Sequence, residues 1–273
     1  RYYHKILLFM LCLAVGTEFI HRKSLGLASP VLSVTDEQIG YRFKPDQKTL
    51  RFGKRIEYNQ YSQRSEPISK VKESGVIRIL MVGDSVLNGG NPTDQADILT
   101  EKLEHNILDA GVETVEVLNA SAGSWGIGNQ AGYLKKFGLF DSDLVILQIG
   151  SHDLEQPTST SDAVGRATHP DKKPILATQE ILFRYLLPRA TKFLRSNEPT
   201  KKLADEIPET NDQKLQFEQN MEALSEIQQL IEGQKTPVFI LFTPSRKDLL
   251  PEYVEPEHKA DFLAILENLE APV

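Results

Sequence analysis

The chain has 273 residues and a formal net charge of −7, from 31 Lys and Arg against 38 Asp and Glu. This length accommodates one mid-sized domain and an appendage, because single domains usually hold about 100–200 residues. With 40% apolar residues and a mean hydropathy of −0.31, the composition excludes disorder and a polytopic membrane protein, and the absence of a long Lys/Arg cluster excludes a nucleic-acid binder.

The first predicted element is an apolar stretch between two basic groups. Residues 6–15 form an uninterrupted apolar run, preceded by basic residues within 1–5 and followed by basic residues 21–23. Ten residues are the usual length of a signal-peptide core, whereas the nineteen residues from 2 to 20 suffice for an imperfect signal anchor with Glu18 at the membrane interface.

The flanking residues favour the uncleaved anchor over residues 1–23. The nearest cleavage-like site, residues 26–28, lies far from the apolar run, and the chain begins with Arg1, which indicates a missing upstream piece. A cleaved signal peptide and a buried amphipathic helix are the alternatives. Both leading interpretations place the remaining chain outside the cytoplasm, in the periplasm or at the cell surface. The single cysteine, Cys12, excludes an intrachain disulfide and cysteine-rich zinc sites.

Residues 24–74 are predicted to form a membrane-proximal neck of short strands or a hairpin. The segment is polar, with aromatic residues interleaved. Its basic side chains are more consistent with a solvated strand face than with binding to anionic lipid headgroups.

Residues 75–273 alternate between apolar strands and helices, which predicts an α/β domain with a parallel sheet covered on both faces. A segment rich in Pro, Ser and Thr, residues 156–173, is expected to be a mobile loop over the sheet edge, and the helix over 179–196 is expected to bend or divide at Pro188. The predicted strands are residues 76–82, 115–118, 144–149 and 238–242, and the other predicted helices are residues 95–110, 129–137, 212–232 and 259–269.

Three of these strands end in polar sequences. In parallel sheets, ligands bind beyond the carboxyl ends of the strands, so these three ends are where a site is expected. Ser85 follows a sharp glycine turn, where a nucleophile and an oxyanion can share one set of backbone amides. The three sequences are Gly83-Asp84-Ser85, the run from Asn119 to Ser124, and Gly150-Ser151-His152-Asp153.

This order and spacing resembles the SGNH or GDSL family of serine esterases and acyltransferases, in its envelope-anchored form. The resemblance covers residues 76–153 and implies a three-layer, flavodoxin-like fold. It implies Ser85 as nucleophile and an oxyanion hole formed by Ser85, His152 and either Gly123 or Ser124.

In this resemblance Asp84 and Asp153 position the strand-end loops. His152 replaces the family's asparagine, and a histidine ring can also donate a hydrogen bond to an oxyanion. A structural role for His152, capping the strand end, and a role as general base are the alternatives.

The family's late Asp-x-x-His sequence, which supplies the general base, is absent. The nearest equivalent is His258 with Glu255, although His258 fits better as a surface residue at the start of a helix. The preferred interpretation is that the sequence stops before that block.

Other classes fit the sequence less well. Gly150-Ser151-His152-Asp153 also resembles a metallophosphoesterase sequence, but too few metal ligands accompany it. The glycines at 123, 126 and 128 do not have the spacing of a nucleotide-binding loop.

We therefore predict an envelope-anchored esterase acting through Ser85 on short acyl esters, plausibly of an envelope polysaccharide. It would contact the membrane through its N-terminal segment and would need neither a metal nor an organic cofactor. A transferase is expected if a sugar hydroxyl replaces water. A degenerate domain that binds glycan or assists envelope assembly is the alternative from another class.

Overall fold

The computed structural model describes residues 2–195, 211–245, 247–249 and 257–268, and the described residues form a four-stranded parallel sheet with helices on both faces, preceded by a helix and two hairpins. The strands are β1 Ser33–Asp36, β2 Gly40–Phe43, β3 Gln47–Arg51, β4 Lys54–Tyr58, β5 Ile77–Gly83, β6 Val115–Ser121, β7 Leu144–Gly150 and β8 Val238–Thr243. The helices are α1 Tyr2–Leu25, α2 Ser85–Asn88, α3 Leu99–Asp109, α4 Ile127–Phe137, α5 Ala177–Glu180, α6 Leu187–Arg195, α7 Asn211–Gly233 and α8 Glu257–Asn268.

The sheet has the order β6-β5-β7-β8, with every neighbouring pair parallel. This is the flavodoxin-like order expected from the sequence, over its first four strands. Gly83 pairs with Ser121, and Gly150 pairs with Thr243, so the carboxyl ends of neighbouring strands align at one edge.

The sheet separates two apolar layers. Alternate residues of β5 point to opposite faces, so Leu80 and Val82 join a large core with α4, α7 and α8, whereas Ile79 and Met81 pack towards α3. Burial on both faces explains why the central strands read as nearly continuous apolar runs.

The N-terminal helix α1 is long and apolar enough to cross a membrane, with a mean hydropathy of 1.5 over its most apolar window and none of that window buried. The structure therefore contradicts the alternative of a buried amphipathic helix. The end of α1 is fixed to the domain, since Phe52 N donates to Leu25 O at 2.9 Å.

The predicted neck consists of two antiparallel hairpins, β1–β2 and β3–β4. Ile39 and Tyr41 are fully buried in the same core as Leu80 and Val82. The β1–β2 hairpin therefore shares the core of the parallel sheet, whereas Ile56 and Tyr58 of β4 lie in a separate buried cluster. The boundaries at residues 24 and 74 stay predictions.

Two connections differ from expectation. The helix predicted to divide at Pro188 runs from α5 to α6 through a π-helical turn, Ile181–Leu186. The irregularity precedes the proline because Pro188 has no N–H to donate to the preceding turn. The segment 156–173 packs against the hairpins and α4, with Ser159 N donating to Asn129 Oδ1 and Ser33 N donating to Pro170 O.

Candidate active site at the strand ends

Ser85 lies at the turn between β5 and α2, and its side chain is exposed. The turn is held by Asp84, whose Oδ1 accepts a hydrogen bond from Val86 N at 2.7 Å. A Cβ at Gly83 would lie 2.5 Å from Gln148 Oε1, so only glycine allows the chain to pass this close. Gln148 in turn accepts from Asp84 N at 3.0 Å and donates to Thr243 Oγ1 at 2.9 Å, which links the ends of β5, β7 and β8.

His152, beyond the end of β7, faces two buried carboxylates. Its Nε2 lies 3.0 Å from Asp84 Oδ2 and 3.4 Å from Asp153 Oδ1. The side chains of Asp84 and Asp153 are 1% and 0% exposed, whereas that of His152 is 45% exposed. Asp153 also holds its own loop, because its Oδ2 accepts from Gly150 N at 2.7 Å. The imidazole therefore covers two acidic groups, and its Cε1–Nδ1 edge lies beside Gly150 while part of the ring remains exposed.

The charges of this group shift its protonation equilibria. The interaction with Asp84 raises the pKa of His152. Burial, followed by the charge of Asp84, raises the pKa of Asp153 to about 7. The raised pKa of His152 favours its imidazolium form, in which both ring nitrogens carry a proton.

The loop after β6 carries Gly123 and Ser124. The hydroxyl of Tyr41 donates to Gly123 O, and Gln156 Nε2 donates to Ser124 O at 3.0 Å. Ser124 has φ of +60°, a left-handed conformation that is uncommon for a residue other than glycine. The carbonyl groups of the loop are thus bound to the hairpins and to segment 156–173.

The sheet register brings the three loops together. Gly83 pairs with Ser121, so Ser85 and Gly123 each lie two residues beyond the same rung of the sheet. Asn88 joins the two loops, because its Nδ2 donates to Ser121 O at 3.0 Å. The residues placed at this common edge are Asp84, Ser85, Gly123, Ser124, His152 and Asp153.

His258 lies at the start of α8, a helix that contacts the turn Ser151–Leu154. Its ring stacks on Phe217 of α7, with centroids 4.3 Å apart and planes 9° apart, and the residue is 6% exposed. The expectation of a surface histidine is therefore wrong, because the start of α8 packs against α7. In the described part of the chain His258 is not a member of the Asp84–His152–Asp153 group, and its proposed partner Glu255 lies outside the described residues.

Several residues at this edge escaped the sequence analysis. Asp248 follows β8 and accepts hydrogen bonds from Ser151 Oγ and Ser245 N. Asp248, like Ser85, follows the carboxyl end of a predicted strand, so its position in the sequence could have identified it as a candidate. His169 packs edge-on against Tyr41, with ring centroids 4.6 Å apart, and burial lowers its pKa. No local pattern marks His169, because its contact depends on the path of segment 156–173.

One group of side chains has the chemistry of a metal site. Asp84, His152 and Asp153 each offer a ligand atom, and these atoms lie within 4.8 Å of one another. Two carboxylates and an imidazole are ligands that divalent metals accept. The same proximity equally suits a histidine paired with two carboxylates.

Comparison with known proteins gives similarity of fold. No protein-family model matches the sequence, and no curated protein matches it. Among solved structures, the SGNH-hydrolase family esterase AlinE4 is 16% identical over 74% of this chain and 76% of its own, with a TM-score of 0.42. TesA is 15% identical over 71% of this chain and 75% of its own, with a TM-score of 0.42. At such identities these similarities assign no activity.

Proposed function

We propose that the chain is a serine hydrolase of the SGNH type that cleaves short acyl esters, with Ser85 as nucleophile. The observation that carries the proposal is the exposed Ser85 at the end of β5, flanked by the Gly123–Ser124 loop and by His152 paired with Asp84. Attack of the Ser85 hydroxyl on an acyl carbonyl would form a tetrahedral oxyanion, while the hydroxyl proton passes to a general base, for which His258 is the nearest equivalent in this chain. Collapse of the oxyanion would break the ester C–O bond, return that proton to the departing alcohol and leave an acyl-enzyme on Ser85.

The amides of Ser85 and of Gly123 or Ser124, together with His152, would stabilise that oxyanion. Because Nε2 of His152 faces Asp84, only Nδ1 remains to donate to substrate. Donation from Nδ1 while Nε2–H is paired requires the imidazolium, which is the form that the raised pKa favours. Asp84 and Asp153 would act by holding the ring and the loops in place.

The substrate proposed is an O-acetyl or other short acyl ester, carried by an envelope polysaccharide. The exposed apolar helix α1 supports attachment to a membrane. The hydrolase domain would then lie outside the cytoplasm. If a sugar hydroxyl replaces water at the acyl-enzyme, the same residues would catalyse acyl transfer.

The test uses the full chain in detergent with p-nitrophenyl acetate. We expect Ser85→Ala to abolish turnover, a loss of about 10⁴-fold or more, because the proposed acyl-enzyme forms on the Ser85 hydroxyl. Ser74→Ala, which removes another exposed serine, is the matched control and should keep the wild-type rate. A fluorophosphonate probe should label the wild type and the control but not Ser85→Ala. Equal turnover by wild type and Ser85→Ala would overturn the proposal.

A second candidate is a domain that binds acylated glycan without catalysis. One observation favours it: among the side-chain hydrogen bonds of residues 2–195, 211–245, 247–249 and 257–268, none joins a histidine to Ser85. Binding of an acetylated polysaccharide by wild type and Ser85→Ala alike, with no turnover by either, would select this candidate.

A further inference from the structure

The helical segment from α5 to α6 exposes apolar side chains and buries a carboxylate, the reverse of the usual arrangement in a surface helix. Three pairs of apolar residues are exposed on it: 175–176, just before α5, and 182–183 and 186–187, in the π-helical turn and the start of α6. The last two pairs are four positions apart, so they lie on one side of the helix. Phe183 is 58% exposed and Ile175 is 82% exposed. We call this set the apolar face: Ile175, Leu176, Leu182, Phe183, Leu186 and Leu187.

The opposite side of the same segment carries its charged residue inward. Glu180 is 4% exposed and pairs with the fully buried Arg51. Its Oε2 also accepts a hydrogen bond from Ala28 N at 2.6 Å, and Arg51 Nη2 donates to Tyr185 OH at 3.1 Å. This segment buries a carboxylate and exposes leucines, which indicates that its outer side contacts an apolar environment.

The position of α1 indicates where an apolar environment would meet this segment. Glu18 accepts hydrogen bonds from Ala177 N at 2.6 Å and from Thr178 N at 3.2 Å, so the start of α5 lies level with residue 18 of α1. The next residues of α1, Phe19 and Ile20, are still 61% and 57% exposed. If the apolar run of α1 enters a bilayer, the start of α5 must therefore lie at the bilayer surface.

Basic residues border the apolar face. A cavity of about 310 Å³ between segment 167–174 and the helices is lined by Lys172, Lys173, Arg184 and Phe183. Lys172 is almost fully exposed, with a side-chain exposure of 87%. Cations beside an exposed apolar face are complementary to anionic headgroups above acyl chains.

We propose that the apolar face is a second membrane contact, which lies in the interfacial region of an anionic bilayer beside α1. The domain is then held by two elements, and its orientation to the membrane is fixed. This inference does not depend on the esterase activity, but it does require α1 to enter the bilayer.

The test places a single cysteine on the full chain, in a Cys12→Ser background, and labels it with an environment-sensitive fluorophore. Phe183→Cys reports the apolar face, Phe9→Cys reports α1, and Val71→Cys, at a residue 67% exposed, is the control. In phosphatidylglycerol-containing vesicles we expect nitroxide lipids to quench the labels at 9 and 183, and iodide to quench only the label at 71.

Three results would overturn the inference. The label at 183 could be quenched by iodide as strongly as that at 71, or be shielded from both quenchers, which would mean that protein covers the face. A label at 9 that nitroxide lipids do not quench would show that α1 does not enter the bilayer, which the inference requires.

The charge component has its own measurement. Lys172→Glu with Lys173→Glu should shift the docking equilibrium of the label at 183 by about fivefold per lysine lost. The effect should vanish in phosphatidylcholine vesicles, and an equal effect there would overturn the electrostatic part. Because Ser85 is untouched, turnover of p-nitrophenyl acetate reports separately on the proposed function.

Discussion

Two of the regions that hold buried charge in this molecule are built differently. At the base of α1, the buried pair of Arg51 and Glu180 has several partners, since Arg51 Nη1 also donates to Gly26 O at 2.6 Å and Ala28 N donates to Glu180, although Arg51 Nε is buried without a partner. At the strand ends, Asp84 Oδ2 and Asp153 Oδ1 are buried without a well-formed hydrogen bond, and a half-exposed His152 faces both.

The difference separates a structural ion pair from a reactive one. A buried pair that is well hydrogen-bonded holds its elements together, and neither charge is available to a ligand. Carboxylates with unsatisfied oxygens beside an accessible imidazole have shifted pKa values, which is typical of functional sites. Substitutions at the base of α1 should therefore change stability, and substitutions at the strand ends should change chemistry.

The largest effect on stability is expected from Glu180→Gln. Arg51 would remain buried without its counter-charge, so we expect the free energy of unfolding to fall by about 3–5 kcal/mol. Chemical denaturation followed by the fluorescence of Trp125, the single tryptophan, measures this. Glu226→Gln, which breaks the exposed pair with Lys135, is the control and should cost less than about 1 kcal/mol.

A double change sharpens this test. Replacing both partners, Arg51→Met with Glu180→Leu, removes the unpaired charge and should restore most of the lost stability. A Glu180→Gln protein as stable as the Glu226→Gln protein would contradict the assignment of the base of α1 as a structural ion pair.

The next effect is on catalysis. Removing one oxyanion donor usually lowers kcat by about 100-fold to 1,000-fold, so we expect this loss for His152→Ala. His152→Asn keeps a donor and should retain more activity than His152→Ala. Because the ring is half-exposed, the loss of stability should be far smaller than for Glu180→Gln. Wild-type kcat in His152→Ala would exclude the ring from the oxyanion hole.

The sequence predicted the position of the site better than its internal contacts. Ser85, Gly123 and His152 could be placed at one edge because the carboxyl ends of parallel strands coincide. The pairing of His152 with Asp84 could not be predicted, since it depends on the ring orientation across β5 and β7. The burial of His258 depends on Phe217, 41 positions earlier along the printed sequence.

The helices show the same limit on prediction from sequence. Periodicity located the segment near 179–196 as a helix, but it cannot tell which side of a helix faces the protein. The inward position of Glu180 follows from Arg51 on β3, a partner that no local pattern reveals. Tertiary contacts therefore decided which interpretation of each local pattern was correct.

The pH dependence of stability gives a smaller effect. Because the pKa of Asp153 is raised to about 7, the folded protein holds this proton more tightly than the unfolded chain. The resulting stability is present below about pH 4 and is lost as pH rises towards 7, by about 4 kcal/mol in total, of which about 3 kcal/mol falls between pH 5 and pH 8. Asp153→Asn resembles the protonated form, so its advantage over the wild type should grow between pH 5 and pH 8. If the free energies of unfolding of the two proteins change in parallel across this pH range, the pKa of Asp153 is not raised in the folded protein.

The smallest effect is expected at Gly150, whose absent Cβ leaves room for the ring of His152. An alanine Cβ there would lie 2.6 Å from His152 Cε1 and 2.7 Å from Nδ1, so the ring must rotate away from Asp84. A half-exposed ring can move at a cost of about 1 kcal/mol or less, whereas the displaced donor should lower kcat about tenfold. Gly233→Ala adds a Cβ into open space and is the control. If Gly150→Ala leaves kcat unchanged while His152→Ala lowers it, the ring acts without a fixed orientation. The Arg51–Glu180 pair and the Asp84–His152–Asp153 group would then differ only in how completely their polar atoms are hydrogen-bonded.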